Sequence, residues 1–272
     1  MAKENCVPMN SEKAWRVFLG TILLLVVSYI IYFVRHPMWQ FFSTLEPIFA
    51  IMLLSYFIIF LVALLLLRKD SKKNLPNVFE NSSNVMILSG LLFGLFYLGL
   101  YYLISFVFGS SFELGSFPNL RGFEEYSYYS VVSVSVLYLL FSVFGGFAEE
   151  VAYRGYVQTR VSERYGVLFG IMASTVFFSL EHIHVFQADW ILQFVQVQLL
   201  HVVLFGVFVG YLFYRSGGNV WSVVSFHVLL NAFAVSIPII VSDAYPFTFY
   251  VAEIASFTVM ILTLKYLPLK NK

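Results

Sequence analysis

The stretch SVLYLLFSVFGGFAEEVAYRG, residues 135–155, sets an apolar run directly against two adjacent carboxylates, Glu149 and Glu150, and an arginine, Arg154. No Asp, Glu, Lys or Arg lies between Glu125 and Glu149. An apolar run long enough to cross about 30 Å of hydrocarbon reads as a membrane helix. The rest of the chain agrees: 60% of its 272 residues are hydrophobic and 11% are charged, against about 25% charged in soluble domains. The fold class is therefore all-α, a polytopic membrane protein in the lipid bilayer, with residues 1–272 forming a single integral-membrane domain. A formal net charge of +1 says nothing about nucleic acid by itself, and no basic run or aromatic-interleaved patch suggests it, so no nucleic acid is expected as a partner. Cys6 is the single cysteine, so internal disulfides and thiolate metal clusters are excluded as well.

Working outward from that stretch, apolar runs predict about eight transmembrane helices: 15–34, 47–67, 85–108, 129–149, 166–184, 191–213, 219–240 and 247–267. The first lacks the cleavage site of a secretory signal and is read as a span. The fourth is unusual, because its helical pattern continues through VAYRGYVQTRVSERY with no strong breaker before Gly166. Crossing the membrane eight times places every Lys and Arg except Arg35 and Arg121 on one side. Positive residues gather on the cytosolic side, so both termini are expected in the cytosol, at the cell membrane if the source is prokaryotic.

Ionisable residues inside spans are costly and face a protein interior or a wet cavity. Glu150 and Arg154 stand at i,i+4 in the favourable order for an ion pair. Glu149 is turned roughly 100° away and is left without a partner, the situation of a carboxylate that serves as a general base. In FFSLEHIHV, residues 177–185, His182 and His184 face different sides of a helix. If the fourth and fifth helices form a hairpin at Tyr165-Gly166, Glu149 and His182 both lie about 24 Å from its tip. In GGNVWSVVSFHVLLNAF, residues 217–233, His227 and Asn231 share one helical face at i,i+4. His201 and Glu253 lack such companions and read as structural polar residues.

Three spacings now stand in order: EEVAYR (EExxxR, Glu149 to Arg154), FSLEH (FxxxH, Phe178 to His182) and HVLLN (HxxxN, His227 to Asn231). Together, over residues 130–235, they resemble the CAAX prenyl protease type II and bacteriocin-processing superfamily, intramembrane glutamic endopeptidases related to the Ras-converting enzyme. The resemblance implies a catalytic core at 130–235 and an active site in an intramembrane cavity open to the cytosol. It implies that Glu149, with His182, activates a water, and that His227 and Asn231 stabilise the oxyanion. Glu150, Arg154 and Phe178 would support them. The implied substrate is a peptide, either prenylated at a CaaX-type end or a leader or precursor peptide.

Two questions stay open on the residues alone. Glu149, His182 and His227 make a His₂Glu set with room for zinc, but the HExxH spacing of zinc peptidases is absent and Asn231 is a poor zinc ligand, so no cofactor is favoured. A non-enzymatic membrane scaffold, such as a bacteriocin-immunity or regulatory protein, and a small transporter are the competing classes.

Overall fold

The computed structural model describes residues 11–38, 45–70, 78–79, 84–108, 112–114, 131–183, 199–236, 239–241 and 247–266. Among these residues the fold is helical: α1 (Ser11–Met38), α2 (Leu45–Asp70), α3 (Asn84–Val107), α4 (Val131–Glu150), α5 (Thr159–Tyr165), α6 (Val167–Glu181), α7 (Leu199–Arg215), α8 (Val220–Ser236) and α9 (Phe247–Tyr266). A π-helical segment, Val151–Gln158, joins α4 to α5, so these pieces form eight rods, as the apolar runs predict. The expected fourth helix does run on to Tyr165, with a changed pitch in its middle. The fifth rod ends at Glu181 rather than at 184. The sixth is described from Leu199, and its expected start at 191–198 lies outside the described residues.

Among the described residues three helices are long and apolar enough to span a bilayer outright: Phe49–Lys69, Asn84–Val107 and Phe247–Tyr266. Shorter apolar helices, Trp15–Ile31, Val167–Glu181, Leu199–Arg215 and Val220–Phe233, pack around them. Large apolar side chains such as Leu65, Leu103 and Leu168 point outward, the surface a bilayer requires. This is an integral membrane protein.

Two local features fix which end of each rod is which. A two-stranded antiparallel pair, β1 (Phe112–Leu114) with β2 (Ile239–Val241), links the segment after α3 to the segment after α8, with Glu113 opposite Ile240. At the other end the Val220 amide donates to the Val78 carbonyl at 3.0 Å. Arg68, Lys69, Arg164, Arg215 and Lys265 all close helices at this second end.

The turn into α8 sets the height of that helix. Gly217 and Gly218 have φ of 75° and 80°, a left-handed conformation that residues with a Cβ rarely take. It lets the Gly218 amide donate back to the Phe213 carbonyl at 2.9 Å, closing α7. Asn219 Oδ1 then accepts the Trp221 amide at 2.9 Å, an N-cap for α8. Close approach does the rest. A Cβ on Gly90 of α3 would lie 2.0 Å from the Ser222 carbonyl oxygen, so α3 packs backbone to backbone against α8, as small residues permit between membrane helices.

Candidate active site

The adjacent carboxylates come from the end of α4, where the pitch changes. All eight residues of the π segment, Val151 to Gln158, are buried, so this stretch runs through the middle of the bundle rather than along its surface. π-helical insertions of this kind recur at functional sites. Glu150 and Arg154 are both 0% exposed and form the expected ion pair, with Arg154 Nη1 3.1 Å from Glu150 Oε1. The guanidinium also lies 4.6 Å over the ring of Phe178, a cation–π contact that is worth more away from water.

His227 of α8 joins the two glutamates. Its Nδ1 is 2.8 Å from Glu150 Oε1, and its Nε2 is 3.7 Å from Glu149 Oε2. Glu150 already accepts from an arginine, so it serves as a carboxylate acceptor and His227 donates through Nδ1–H. The Nε2 edge is thereby aimed at Glu149. At 3.7 Å that second contact is too long for a direct hydrogen bond, and both atoms keep capacity for a third group. Glu149 is 8% exposed and His227 5%. Glu149 is therefore not partnerless, as its helical rotation predicts. The π segment and the crossing of α8 bring both carboxylates to one imidazole.

His182 caps the end of α6, and its Nδ1 lies 2.8 Å from the Phe178 carbonyl oxygen. A carbonyl can only accept, so Nδ1 carries the proton and donates, leaving Nε2 of the neutral ring as a proton acceptor. Phe178 is the centre of the assembly: its ring is 4.5 Å from the His182 ring and 6.2 Å from the His227 ring. The matched heights of Glu149 and His182 pair those two residues in the sequence; in the structure the contact to Glu149 is made by His227, with Phe178 between the two imidazoles. His184 lies outside the described residues.

A cavity of about 450 Å³ adjoins these groups. Phe178, His182, His227 and Asn231 form part of its wall, and Tyr97, Leu98, Tyr101, Tyr102, His201, Val202, Phe205, Leu230, Phe249 and Glu253 complete it. Tyr101 and Tyr102 lie near the β-paired end of α3, and Phe249 near that end of α9. Toward the basic end the bundle is filled instead by fully buried Tyr156, Val157, Phe208, Leu212, Val220 and Val223.

His201 and Glu253 depart from the sequence reading. His201 Nδ1 is 3.1 Å from Glu253 Oε1, and the Tyr97 hydroxyl donates to the same oxygen at 2.8 Å. They are partners, not isolated polar residues, and they line the same cavity as His182, His227 and Asn231. No spacing in the sequence signals this, because Tyr97, His201 and Glu253 stand on three different helices.

A metal ion is the remaining question about the donor set. Among the described residues no three of His, Cys, Asp and Glu converge closely enough to hold one.

These helices and side chains define a polytopic membrane protein with a carboxylate–imidazole centre buried beside an intramembrane cavity. Residues 131–233 match the family described as type II CAAX prenyl endopeptidase, Rce1-like. That segment carries both glutamates, Arg154, Phe178, His182, His227 and Asn231, and it is similar to CAAX-type membrane proteases. No curated protein matches the chain.

Proposed function

We propose that this protein is an intramembrane endopeptidase in which a glutamate-activated water hydrolyses a peptide bond. The observation that carries the reading is His227 Nε2 turned toward Glu149 while its Nδ1 is held by Glu150, in the wall that also contains His182 and Asn231. Glu149 takes a proton from water, with the free Nε2 of His182 as a second acceptor for that water. The hydroxide adds to the peptide carbonyl carbon. His227, protonated on both nitrogens, and the Asn231 amide donate to the developing oxyanion, the kind of stabilisation that supplies much of the rate in acyl transfer. Glu149 then returns its proton to the departing nitrogen and the C–N bond breaks, giving a carboxylic acid and an amine. Glu150 and Arg154 hold the ring of His227 in place throughout, and no metal takes part.

The substrate is a CaaX-type, prenylated, leader or precursor peptide that reaches the cavity within the membrane, and both termini of the protein lie in the cytosol. The test is incubation of purified protein and its Glu149→Gln variant with a panel of prenylated and leader peptides, read by mass spectrometry. Cleavage at one bond that disappears in the variant supports the reading. Equal cleavage by both proteins, or none by either, overturns it.

A further inference from the structure

The cavity is larger than the chemistry needs, and its second polar group is not used by the reaction. Glu253 of α9 is 2% exposed. It accepts from Tyr97 of α3 at 2.8 Å and from His201 of α7 at 3.1 Å, both on Oε1. A buried carboxylate is retained only when it is well paired, and here two donors from two other helices fix it. The consequence falls on His201. Its Nδ1 is committed to Glu253, while Phe205 and Phe257 contact its ring, with centroids 6.1 Å away in each case. Its side chain is nevertheless 37% exposed. The ring is held at one nitrogen and offered at the other.

Position decides what that nitrogen meets. Phe205 also contacts the His227 ring, at 4.8 Å between centroids, so a single phenyl ring separates His201 from the catalytic imidazole. That gap is spanned by two or three residues of an extended peptide at roughly 3.4 Å each. We propose that His201 is a substrate-binding residue: its Nε2 hydrogen-bonds a polar group of the bound peptide, a main-chain amide two or three residues from the scissile bond. Glu253 and Tyr97 are positioning residues that hold the imidazole in that orientation. Both lie outside the segment that matches the family, whereas His201 lies within it. The inference rests on the peptidase reading for its substrate class.

The test uses full-length protein in detergent with the same prenylated and leader peptides. His201→Phe keeps a ring against Phe205 and Phe257 but removes both nitrogens; Glu253→Leu removes the anchor, and Glu253→Gln keeps an acceptor for Tyr97 and His201. The expected result is a KM raised about tenfold in His201→Phe and Glu253→Leu, the loss of one hydrogen bond to substrate, with kcat within about twofold. Glu253→Gln raises KM less than Glu253→Leu. A lowered melting temperature with unchanged KM would make the cluster a structural clasp and overturn the proposal. If the wild type cleaves no peptide, the peptidase reading fails separately, and thermal-shift binding to the Glu149→Gln protein decides. Binding weakened about tenfold by His201→Phe upholds the subsite; binding unaffected by it, or absent throughout, overturns it.

Discussion

Oε1 of Glu150 holds Nδ1 of His227 at 2.8 Å, and the same oxygen accepts from Arg154 at 3.1 Å. The second glutamate of the EE pair thus does two things that its i,i+4 spacing alone does not reveal. It neutralises a buried guanidinium, and it fixes the orientation of an imidazole on another helix. Glu150→Ala leaves Arg154 buried without its carboxylate and should cost about 3–5 kcal/mol of stability. The expected observation is failure of the variant to accumulate as folded protein in the membrane. A Glu150→Ala protein with wild-type yield and melting temperature would refute this role.

Glu150→Gln separates orientation from charge. The amide can still accept from Arg154 or from His227 through its oxygen, so the protein should fold with a modest loss of thermal stability. Hydrolysis should fall more steeply than folding, because a neutral partner no longer favours the arrangement with Nδ1–H held and Nε2–H free to donate. Turnover and melting temperature measured on the same preparation check this. A variant that loses both in proportion would show that Glu150 serves folding alone.

Asn231 shares the cavity wall with His227, one helical turn further along α8. As an oxyanion donor, its removal in Asn231→Ala should lower kcat by about 10² to 10³, with little change in KM or melting temperature. A change in KM alone would instead make Asn231 a substrate-binding residue.

The scaffold under these residues can be tested without any substrate. Gly90 and Gly99 stand on the same helix, yet a Cβ on Gly90 would lie 2.0 Å from the Ser222 carbonyl oxygen, while one on Gly99 meets nothing within 4 Å. Gly90→Ala should cost on the order of 1–3 kcal/mol by overpacking, since main chain cannot rotate away as a side chain can. It should also impair His227 function by pushing α8 outward. Gly99→Ala, which only gains helix propensity, should be neutral or slightly stabilising. Equal melting temperatures for the two variants would contradict the close α3–α8 packing.

How far the sequence alone carries depends on the range of the interaction. The eight rods are legible because each is built on an apolar run that is read locally, even though among the described residues three alone are long and apolar enough to cross a bilayer outright. The continuation of the fourth rod to Tyr165 is legible for a similar reason, as no breaker stands before Gly166. The π segment at Val151–Gln158 is not, because residue types in VAYRGYVQ do not distinguish an α from a π pitch; packing on five other helices decides it. The contact between Glu150 and His227 joins residues far apart in the chain, so rotation about one helix points Glu149 away from a partner that α8 then supplies. Glu253 stands among apolar neighbours, and nothing in its own helix names Tyr97 or His201 as its donors.

Metal dependence is the sharpest remaining distinction between a glutamic and a zinc-type peptidase. Zinc at a catalytic site takes three protein ligands and leaves one position for water. Here His227 has one nitrogen committed to Glu150, and His182 has Nδ1 committed to the Phe178 carbonyl. Only Nε2 of each ring is left free, that of His227 turned toward Glu149, and among the described residues no three of His, Cys, Asp and Glu are grouped to hold an ion. Hydrolysis by the purified protein should therefore persist after exhaustive treatment with a chelator, and bound zinc measured by elemental analysis should fall well below one ion per chain. The same preparation, losing activity to the chelator and regaining it when zinc alone is restored, would show that substrate binding draws His182 inward to complete a metal site and would replace the proposed mechanism.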